Sequence, residues 1–429
     1  MKIAFCTLGC KVNQYETQAL SEIFESKGYE TVKELDNPDV IIINSCTVTA
    51  ESDRKTRQFL RKLRRQHEKS VIVLCGCMPS AFPKSVETLI EADIVFGNTD
   101  HKKIPSLVEE FLENKKRIVS IDKHENGEKF ANNTITQFCE RTRAYIKIED
   151  GCNRFCSYCA IPYARGRVRS KPLSIIEEEA KKLSENGFCE IVLVGINLSA
   201  YGNDNGANIC DAVLAVAKNE RIKRVRLGSL EPDHISDEIL RNLKSVDKFC
   251  PQFHLSLQSG CDETLKRMNR HYDTAFYRDL VERIRAIFPN SSITTDVMVG
   301  FAGETEEEFN KSLEFVKSIG FSKCHVFSYS KREGTRAYNF KHQINNATKK
   351  IRSDKMIEVA NICHKEFLKI AKTLEHNVLI ERIKGGIAEG YTENYTRIYA
   401  KTVENCEGKI VKIKPYDYYE DGLIGEIIL

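Results

Sequence analysis

Ala144-Tyr-Ile-Lys-Ile-Glu-Asp-Gly-Cys-Asn-Arg-Phe-Cys-Ser-Tyr-Cys-Ala160 runs from a short apolar strand into a loop bearing three thiols, Cys152, Cys156 and Cys159, spaced Cys-x3-Cys-x2-Cys. A structural zinc site takes four protein ligands, and a four-iron cluster has four irons to ligate. Three ligands leave one metal position open. The spacing therefore points to a catalytic cluster more than to a structural staple.

Outward from this loop the chain alternates strand and helix to about Leu368. Candidate strands are Tyr145–Ile148, Ile191–Val194, Val225–Leu227, Phe253–Leu257, Ile293–Val299 and Cys324–Tyr329. Between them the helical period is carried by Leu173–Asn186, Ile209–Lys218, Ser236–Leu243, Tyr272–Ile287 and Thr305–Ile319. Six such units make three-quarters of an eight-stranded β/α barrel. A long helical stretch, Ala347–Leu374, follows. The tail then changes to short strands with Gly and Asn turns (Val378–Ile383, Ile387–Tyr391, Thr396–Lys401, Lys409–Lys414, Gly422–Ile428), which predicts a small all-β, OB-like barrel.

Towards the N-terminus the alternation is of a second kind. Lys2–Cys6, Val40-Ile-Ile-Ile43, Val71-Ile-Val-Leu74 and Ile94-Val-Phe96 read as buried strands. Helices lie between them, one capped by Asn13 with Glu16 in capping-box position, one basic from about Ser52 to Arg65, and one near Lys84–Glu91. This βαβ pattern predicts an open parallel α/β sheet. The expected division is 1–112 for that domain, 113–141 for a polar linker, 142–370 for the partial barrel and 371–429 for the β tail.

Three further thiols share one structural place. Cys10 in Thr7-Leu-Gly-Cys-Lys-Val-Asn-Gln14, Cys46 in Asn44-Ser-Cys-Thr-Val48 and Cys77 in Cys75-Gly-Cys-Met78 each follow the C-terminal end of a predicted parallel strand. Such ends form one crevice in an open α/β sheet, so the thiols can converge, again one short of saturating a cluster. The remaining cysteines (Cys6, Cys75, Cys139, Cys189, Cys210, Cys250, Cys261, Cys324, Cys363 and Cys406) read by default as small buried hydrophobes.

Composition bounds the setting. The 429 residues are 41% hydrophobic and 29% charged. No run approaches the roughly 18 apolar residues that span a bilayer, and Met1-Lys-Ile-Ala-Phe-Cys lacks the pattern of a signal peptide. A cytoplasmic protein with no membrane partner is expected, in which the 16 cysteines serve as thiols or metal ligands. Net charge is +4; Ala371–Leu429 carries 8 Lys/Arg against 10 Asp/Glu, which leaves about +6 to the rest of the chain.

The Cys-x3-Cys-x2-Cys loop, with Tyr158 before its last cysteine, resembles the radical S-adenosylmethionine (SAM) motif. Leu8-Gly-Cys-Lys-Val-Asn-Gln-Tyr-Glu-Thr17, Asn44-Ser-Cys-Thr-Val48, Pro162-Tyr-Ala-Arg-Gly-Arg167, His254-Leu-Ser-Leu-Gln-Ser-Gly260 and Gly300-Phe-Ala-Gly-Glu-Thr305 resemble the methylthiotransferase family over essentially the whole chain. Lys-Val-Asn-Gln-Tyr-Glu-Thr looks like the branch acting on N6-threonylcarbamoyladenosine at tRNA position 37. Met78-Pro79-Ser80 and Ala302 depart from the family's usual residues and touch no expected ligand.

The resemblance implies two [4Fe-4S] clusters. Cys152, Cys156 and Cys159 would hold the one that cleaves SAM to a 5′-deoxyadenosyl radical. Cys10, Cys46 and Cys77 would hold the auxiliary one that carries sulfur. Two SAM molecules would be used per turnover, one methylating the sulfur and one supplying the radical that removes hydrogen from C2 of adenine. A TRAM-type tail, an electron donor of the flavodoxin or ferredoxin kind, a sulfur donor and the anticodon stem-loop of ANN-decoding tRNA are implied with it. Expected SAM contacts are Tyr158 and, at barrel strand ends, Gly195, Asn197, Ser229, Glu231, Gln258, Val299 and Gly300. A carboxylate such as Glu231 could meet the sulfonium or amino group. Arg57 and Arg61 on the basic helix, and Arg165, Arg167 and Arg169 (with Lys171) after the radical motif, are expected phosphate contacts. Tyr391, Tyr395, Tyr399, Tyr416, Tyr418 and Tyr419 offer rings for base stacking. Two rival readings are methylthiolation of another substrate (isopentenyladenosine-37 tRNA or a ribosomal protein) and a non-enzymatic iron–sulfur RNA-binding regulator.

Overall fold

The computed structural model describes residues 1–138, 142–402 and 404–428. Its N-terminal sheet has six parallel strands in the order Glu30–Thr31, Lys2–Leu8, Val40–Ser45, Val71–Gly76, Ile94–Phe96, Ile118–Ser120. Both faces are covered. Val40, Ile42, Val71 and Val73 enter one core with Leu20 and Phe24, while Ile41, Ile43, Ile72 and Leu74 enter another with Leu60 and Leu63. That two-residue period with both sets apolar is why these strands read as continuous hydrophobic runs.

Three local expectations are corrected here. The first helix is Lys11–Ser26, capped by Cys10; Asn13 sits three residues inside and accepts the Cys10 N–H through Oδ1 at 3.2 Å. The expected linker contains the sixth strand, Ile118–Ser120, which pairs in register with Ile94–Phe96. Three residues amid charged neighbours carry too little pattern to show as a strand; the exposed edge beside them supplies the register. The helix expected near Lys84–Glu91 is two short turns, Cys77–Ala81 and Pro83–Glu87.

The central unit is an open arc of parallel strands. Arg143–Lys147, Glu190–Val194 and Arg224–Leu227 pair side by side; the chain then passes Gly228 into Ser229–Leu230, which pairs onward with Gln252–Leu255, Ser292–Val299 and Lys323–Ser328. Helices Leu173–Glu185, Ile209–Ala217, Asp237–Lys244, Thr274–Ile287 and Glu306–Ile319 alternate with them, and a single large core joins the two layers. Several begin at a side-chain cap, as where Asn208 Oδ1 accepts the Cys210 N–H at 2.8 Å. The long helix Asn346–Ala371 packs on the last strand.

The tail closes into a five-stranded barrel, His376–Lys384, Ile387–Thr392, Arg397–Lys401, Gly422–Ile428 and Ile410–Tyr419. It docks through arginines of the arc. Glu190, fully buried, accepts from Arg226 Nε at 3.1 Å and Arg224 Nη1 at 3.4 Å, and the same guanidiniums donate to the carbonyls of Tyr391, Thr392 and Glu393. Arg143 lies over Tyr391 and Tyr395 at 5.2 and 5.0 Å, and Arg226 over Tyr395 at 4.9 Å. These two tyrosines are thus committed to domain docking, and Tyr399 is buried; Tyr416 and Tyr418 are the exposed rings. No helix among the described residues is long and apolar enough to cross a membrane.

Candidate active site

The auxiliary thiols are gathered by sheet register. Leu8 pairs with Ser45 and Ser45 with Gly76, so Cys10, Cys46 and Cys77 leave three adjacent strands at one level. Gly76, at φ 100°, permits this: a Cβ there would stand 2.5 Å from Asn44 Oδ1 and from the Ser45 carbonyl. Burial pushes the Cys77 thiol up to about 12 despite Arg165, and burial likewise raises Cys46, with Cys10 adding to it. Thiols held neutral in this way become ligands when a metal centre takes their protons' place. Cys77 Sγ accepts from Arg165 Nε at 3.1 Å, and Cys10 Sγ donates to Asn13 Oδ1 at 3.2 Å.

The other three thiols lie on one loop. Cys152 N–H donates to the Gly166 carbonyl and Cys159 N–H to that of Cys156, both at 3.0 Å. A distant segment clasps the loop: Ser157 Oγ donates to the Arg267 carbonyl at 2.8 Å, Asn269 Nδ2 to that of Phe155 at 3.2 Å, and Arg270 Nη1 to Cys156 Sγ at 3.2 Å. Burial raises Cys152 to about 12 and raises Cys159 further. Asn269 and Arg270 were not singled out from sequence, where an Arg-Met-Asn-Arg turn carries no metal-ligand signature. Among the described residues no three His, Cys, Asp or Glu side chains are close enough to share a single ion. Two sets of three thiols with a cation at one sulfur of each suit clusters, whose thiolates stand farther apart than the ligands of one ion.

Of the expected SAM contacts, Gly195 and Ser229 line a common hollow. Asn197 stands beside Gly195, its N–H donating to Glu149 Oε2 at 2.7 Å; a Cβ on Gly195 would meet that oxygen at 2.7 Å. Glu149 is fully buried, and burial lifts its carboxyl well above the usual range. Its Oε1 and Asn197 Oδ1 have no partner among the described residues. An unpaired carboxyl oxygen and an unpaired amide oxygen, both buried at a strand end, fit a polar ligand. Gln258 (φ 70°) and Gly300 (φ 69°) kink their strands' ends, and Val299 is buried. Tyr158 is half-buried against Phe301. Glu231 is corrected: Arg270 Nη2 takes its carboxylate, so it supports the cluster-side arginine and is not a free anion for a sulfonium.

The basic run is corrected too. Arg165 is fully buried and Arg169 nearly so. Arg165 donates to Glu16 Oε1 at 2.7 Å and to Asp150 Oδ1 at 3.1 Å, Lys147 pairs with the same two carboxylates at 2.7 and 2.6 Å, and Arg169 approaches Asp150 at 3.5 Å. The reason is packing: Arg165 ends the short helix Ile161–Arg165 on its buried side, and the pairing of Asp150 with Arg169 takes the following segment, 168–171, inside. Lys171 is likewise buried on Glu179 at 2.5 Å. Arg167 is exposed, over Phe155 at 4.7 Å. On the helix Ala50–Gln66, Arg57 is half-buried and Arg61 pairs with Glu91 at 3.2 Å. Of the cysteines read as core, Cys75, Cys210, Cys250, Cys261, Cys363 and Cys406 are buried and Cys6, Cys189 and Cys324 half-buried; Cys139 lies outside the described residues.

The hollow, about 610 Å³, joins the units. Cys10, Lys11 and Gln14 line it from the N-terminal sheet, Gly195, Ser229, His254 and Asp296 from the arc, and Tyr395 from the tail.

Comparison with known proteins agrees with this architecture. Residues 146–316 match the Radical SAM superfamily, and residues 2–97 match a family described as Uncharacterized protein family UPF0004. A radical SAM methyltransferase, TsrM from Kitasatospora setae, solved with cobalamin and a [4Fe-4S] cluster, superposes with a TM-score of 0.58 at 13% identity over 90% of this chain and 80% of its own, a likeness of fold alone. The class is therefore that of radical SAM proteins, whose chemistry uses a [4Fe-4S] cluster and SAM. Among curated relatives, the threonylcarbamoyladenosine tRNA methylthiotransferase MtaB of Bacillus subtilis is 36% identical over 421 residues, 96% of this chain and 93% of its own. That of Aquifex aeolicus is 38% identical over 415 residues, 96% and 100%. A tRNA-2-methylthio-N(6)-dimethylallyladenosine synthase of Clostridium tetani is 35% identical over 364 residues, 83% and 80%. The chain belongs to the MtaB family of radical SAM methylthiotransferases.

Proposed function

We propose that this protein transfers a methylthio group to C2 of N6-threonylcarbamoyladenosine at position 37 of tRNA. The observation that carries the reading is the common hollow: one side bears Cys10 of the assembled thiol set, the other the strand ends at Gly195 and Ser229. A base entering it meets both halves of the chemistry at once.

In this reading Cys152, Cys156 and Cys159 hold the SAM-cleaving cluster, and Cys10, Cys46 and Cys77 hold the second. When bound, the first supplies a carbon-centred radical from SAM and the second a sulfur atom, which a second SAM methylates. The chain's own part is placement. Glu149 and Asn197 offer two unpaired buried oxygens beside Gly195, suited to the amino and hydroxyl groups of SAM. Arg270 supports one cluster through Cys156 and Arg165 the other through Cys77. Inert aromatic C–H bonds give acid–base groups nothing to act on, so orientation and exclusion of water are what the protein contributes. Arg57, Arg61 and Arg167 remain the phosphate contacts, and Tyr416 and Tyr418 the stacking rings, for an anticodon stem-loop of ANN-decoding tRNA. The protein works as three units, the N-terminal sheet through Ser120, the arc from about 142 and the tail from about 371, supplied by a flavodoxin- or ferredoxin-type reductant and a sulfur donor in the cytoplasm.

The test is anaerobic reconstitution with iron and sulfide, followed by incubation with SAM, reductant and tRNA carrying threonylcarbamoyladenosine. Nucleoside mass spectrometry is expected to find its 2-methylthio form. Product only on isopentenyladenosine tRNA, or 5′-deoxyadenosine with no RNA product on any tRNA, would refute the assignment.

A further inference from the structure

The substrate proposed above is an anion at its modified edge. In N6-threonylcarbamoyladenosine the threonine nitrogen is locked in a urea, so its carboxylate is free and charged, beside a hydroxyl. C2 and C6 of adenine both adjoin N1. The N6 substituent therefore projects from the same edge as the carbon to be modified. Whatever stands next to the sulfur-bearing site must also stand next to this substituent.

Lys11 is the residue after Cys10. It lines the hollow and is exposed there, with its ammonium 6.0 Å from the Tyr145 ring centroid. It has no ion pair or hydrogen bond among the described residues; Lys323 lines the hollow from the last arc strand, and the two arginines near Lys11 are spent. Arg143 is paired with Glu381 at 2.7 Å and Arg226 with Glu190 at 3.1 Å. The carboxylate in the lining, Asp296, faces His254 at 3.4 Å. One turn along the same helix Gln14 also lines the hollow, and its Oε1 is buried with no partner among the described residues. An unpaired ammonium and an unpaired amide acceptor, side by side at the lip of the auxiliary site, match a carboxylate and a neighbouring hydroxyl or urea N–H.

We propose that Lys11, assisted by Gln14, is the specificity determinant that reads the charged N6 substituent and separates it from unmodified or N6-alkylated adenine. This rests on the function proposed above. Lys11 receives the carboxylate; the Gln14 oxygen accepts from the hydroxyl or urea N–H. Neither takes part in bond making.

The experiment compares wild type, Lys11→Met and Lys11→Arg, all reconstituted, on anticodon stem-loops bearing threonylcarbamoyladenosine or plain adenosine at position 37. It reads kcat/KM for methylthiolation, equilibrium binding, iron content and 5′-deoxyadenosine without RNA. A charged hydrogen bond is worth about 1.5–3 kcal/mol, so Lys11→Met should lose roughly 10- to 100-fold in kcat/KM and in binding for the carboxylated stem-loop. Plain adenosine should be little affected, iron content and uncoupled SAM cleavage unchanged, and Lys11→Arg close to wild type. If Lys11→Met keeps the wild-type preference, or loses iron and both substrates together, the inference is overturned. Failure of the underlying function shows separately, in the wild-type arm: no product on the carboxylated stem-loop overturns both.

Discussion

The two thiol sets solve one problem in opposite ways. Cys152, Cys156 and Cys159 are local, confined to a single loop, and need help from afar: Asn269 and Arg270 hold the loop and one sulfur. Cys10, Cys46 and Cys77 are remote in sequence, and sheet register alone sets them level. Each set has a buried guanidinium on one sulfur, Arg270 on Cys156 at 3.2 Å and Arg165 on Cys77 at 3.1 Å. Arg165 does more than Arg270. Through Glu16 and Asp150 it ties the N-terminal domain to the strand that leads into Cys152. The lesson is that a loop motif still leans on a distant segment, whereas a site assembled by sheet register carries its own frame and is tied to the rest of the protein through Arg165.

The sharpest break is by cysteine deletion. Alanine at Cys152, Cys156 and Cys159 together should halve an iron count of about eight per chain and abolish 5′-deoxyadenosine. Alanine at Cys10, Cys46 and Cys77 should also halve the iron but leave uncoupled SAM cleavage in place. Iron analysis and chromatography of the nucleoside check both; equal loss of cleavage in the two triples would end the division of labour. Next comes Arg165→Met, which leaves the buried Glu16 and Asp150 sharing Lys147 with one charge uncompensated and should cost about 3–5 kcal/mol in denaturant unfolding. Arg270→Gln should instead lower iron retention or activity about 10- to 100-fold with a smaller stability loss.

Acid should separate the two regions more gently. Burial would raise Glu16, yet Arg165 and Lys147 outweigh it and hold the carboxyl at about 2. A group depressed on folding contributes stability above its unfolded value of about 4.3, and loses it as pH falls from there towards 2. Stability of the domain interface, followed by denaturant midpoints, should therefore fall through that window, and less so in Glu16→Gln. The smallest effect is expected from Tyr416→Ala with Tyr418→Ala: these exposed rings should cost roughly 1–3 kcal/mol of tRNA binding per stacked base at most, with SAM cleavage unaltered. Unchanged affinity would remove the tail from the RNA surface.

Much of this was legible in the chain. The six arc strands and their helices follow the apolar period closely because each buries a continuous face. The thiol sets are legible because strand ends in a parallel sheet share one edge. What failed to read were charges. Arg165, Arg169 and Lys171 look like a solvated phosphate clamp, yet they are buried, because their partners Glu16, Asp150 and Glu179 come from elements that sequence spacing does not connect to them. Tyr391 and Tyr395 look like stacking rings and are capped by Arg143 for the same reason.

The amino-acid sequence by itself determined most of the elements, the two three-thiol patterns and the family, since periodicity and short motifs are local properties. Only the tertiary structure decided which cations are free. A charge is spent or available according to the carboxylate that faces it across a domain boundary, and that pairing is settled by packing. It is why Arg165 and Arg169, beside the Cys152–Cys159 loop, are structural, and why Lys11, on the lip of the shared hollow, is left unpaired.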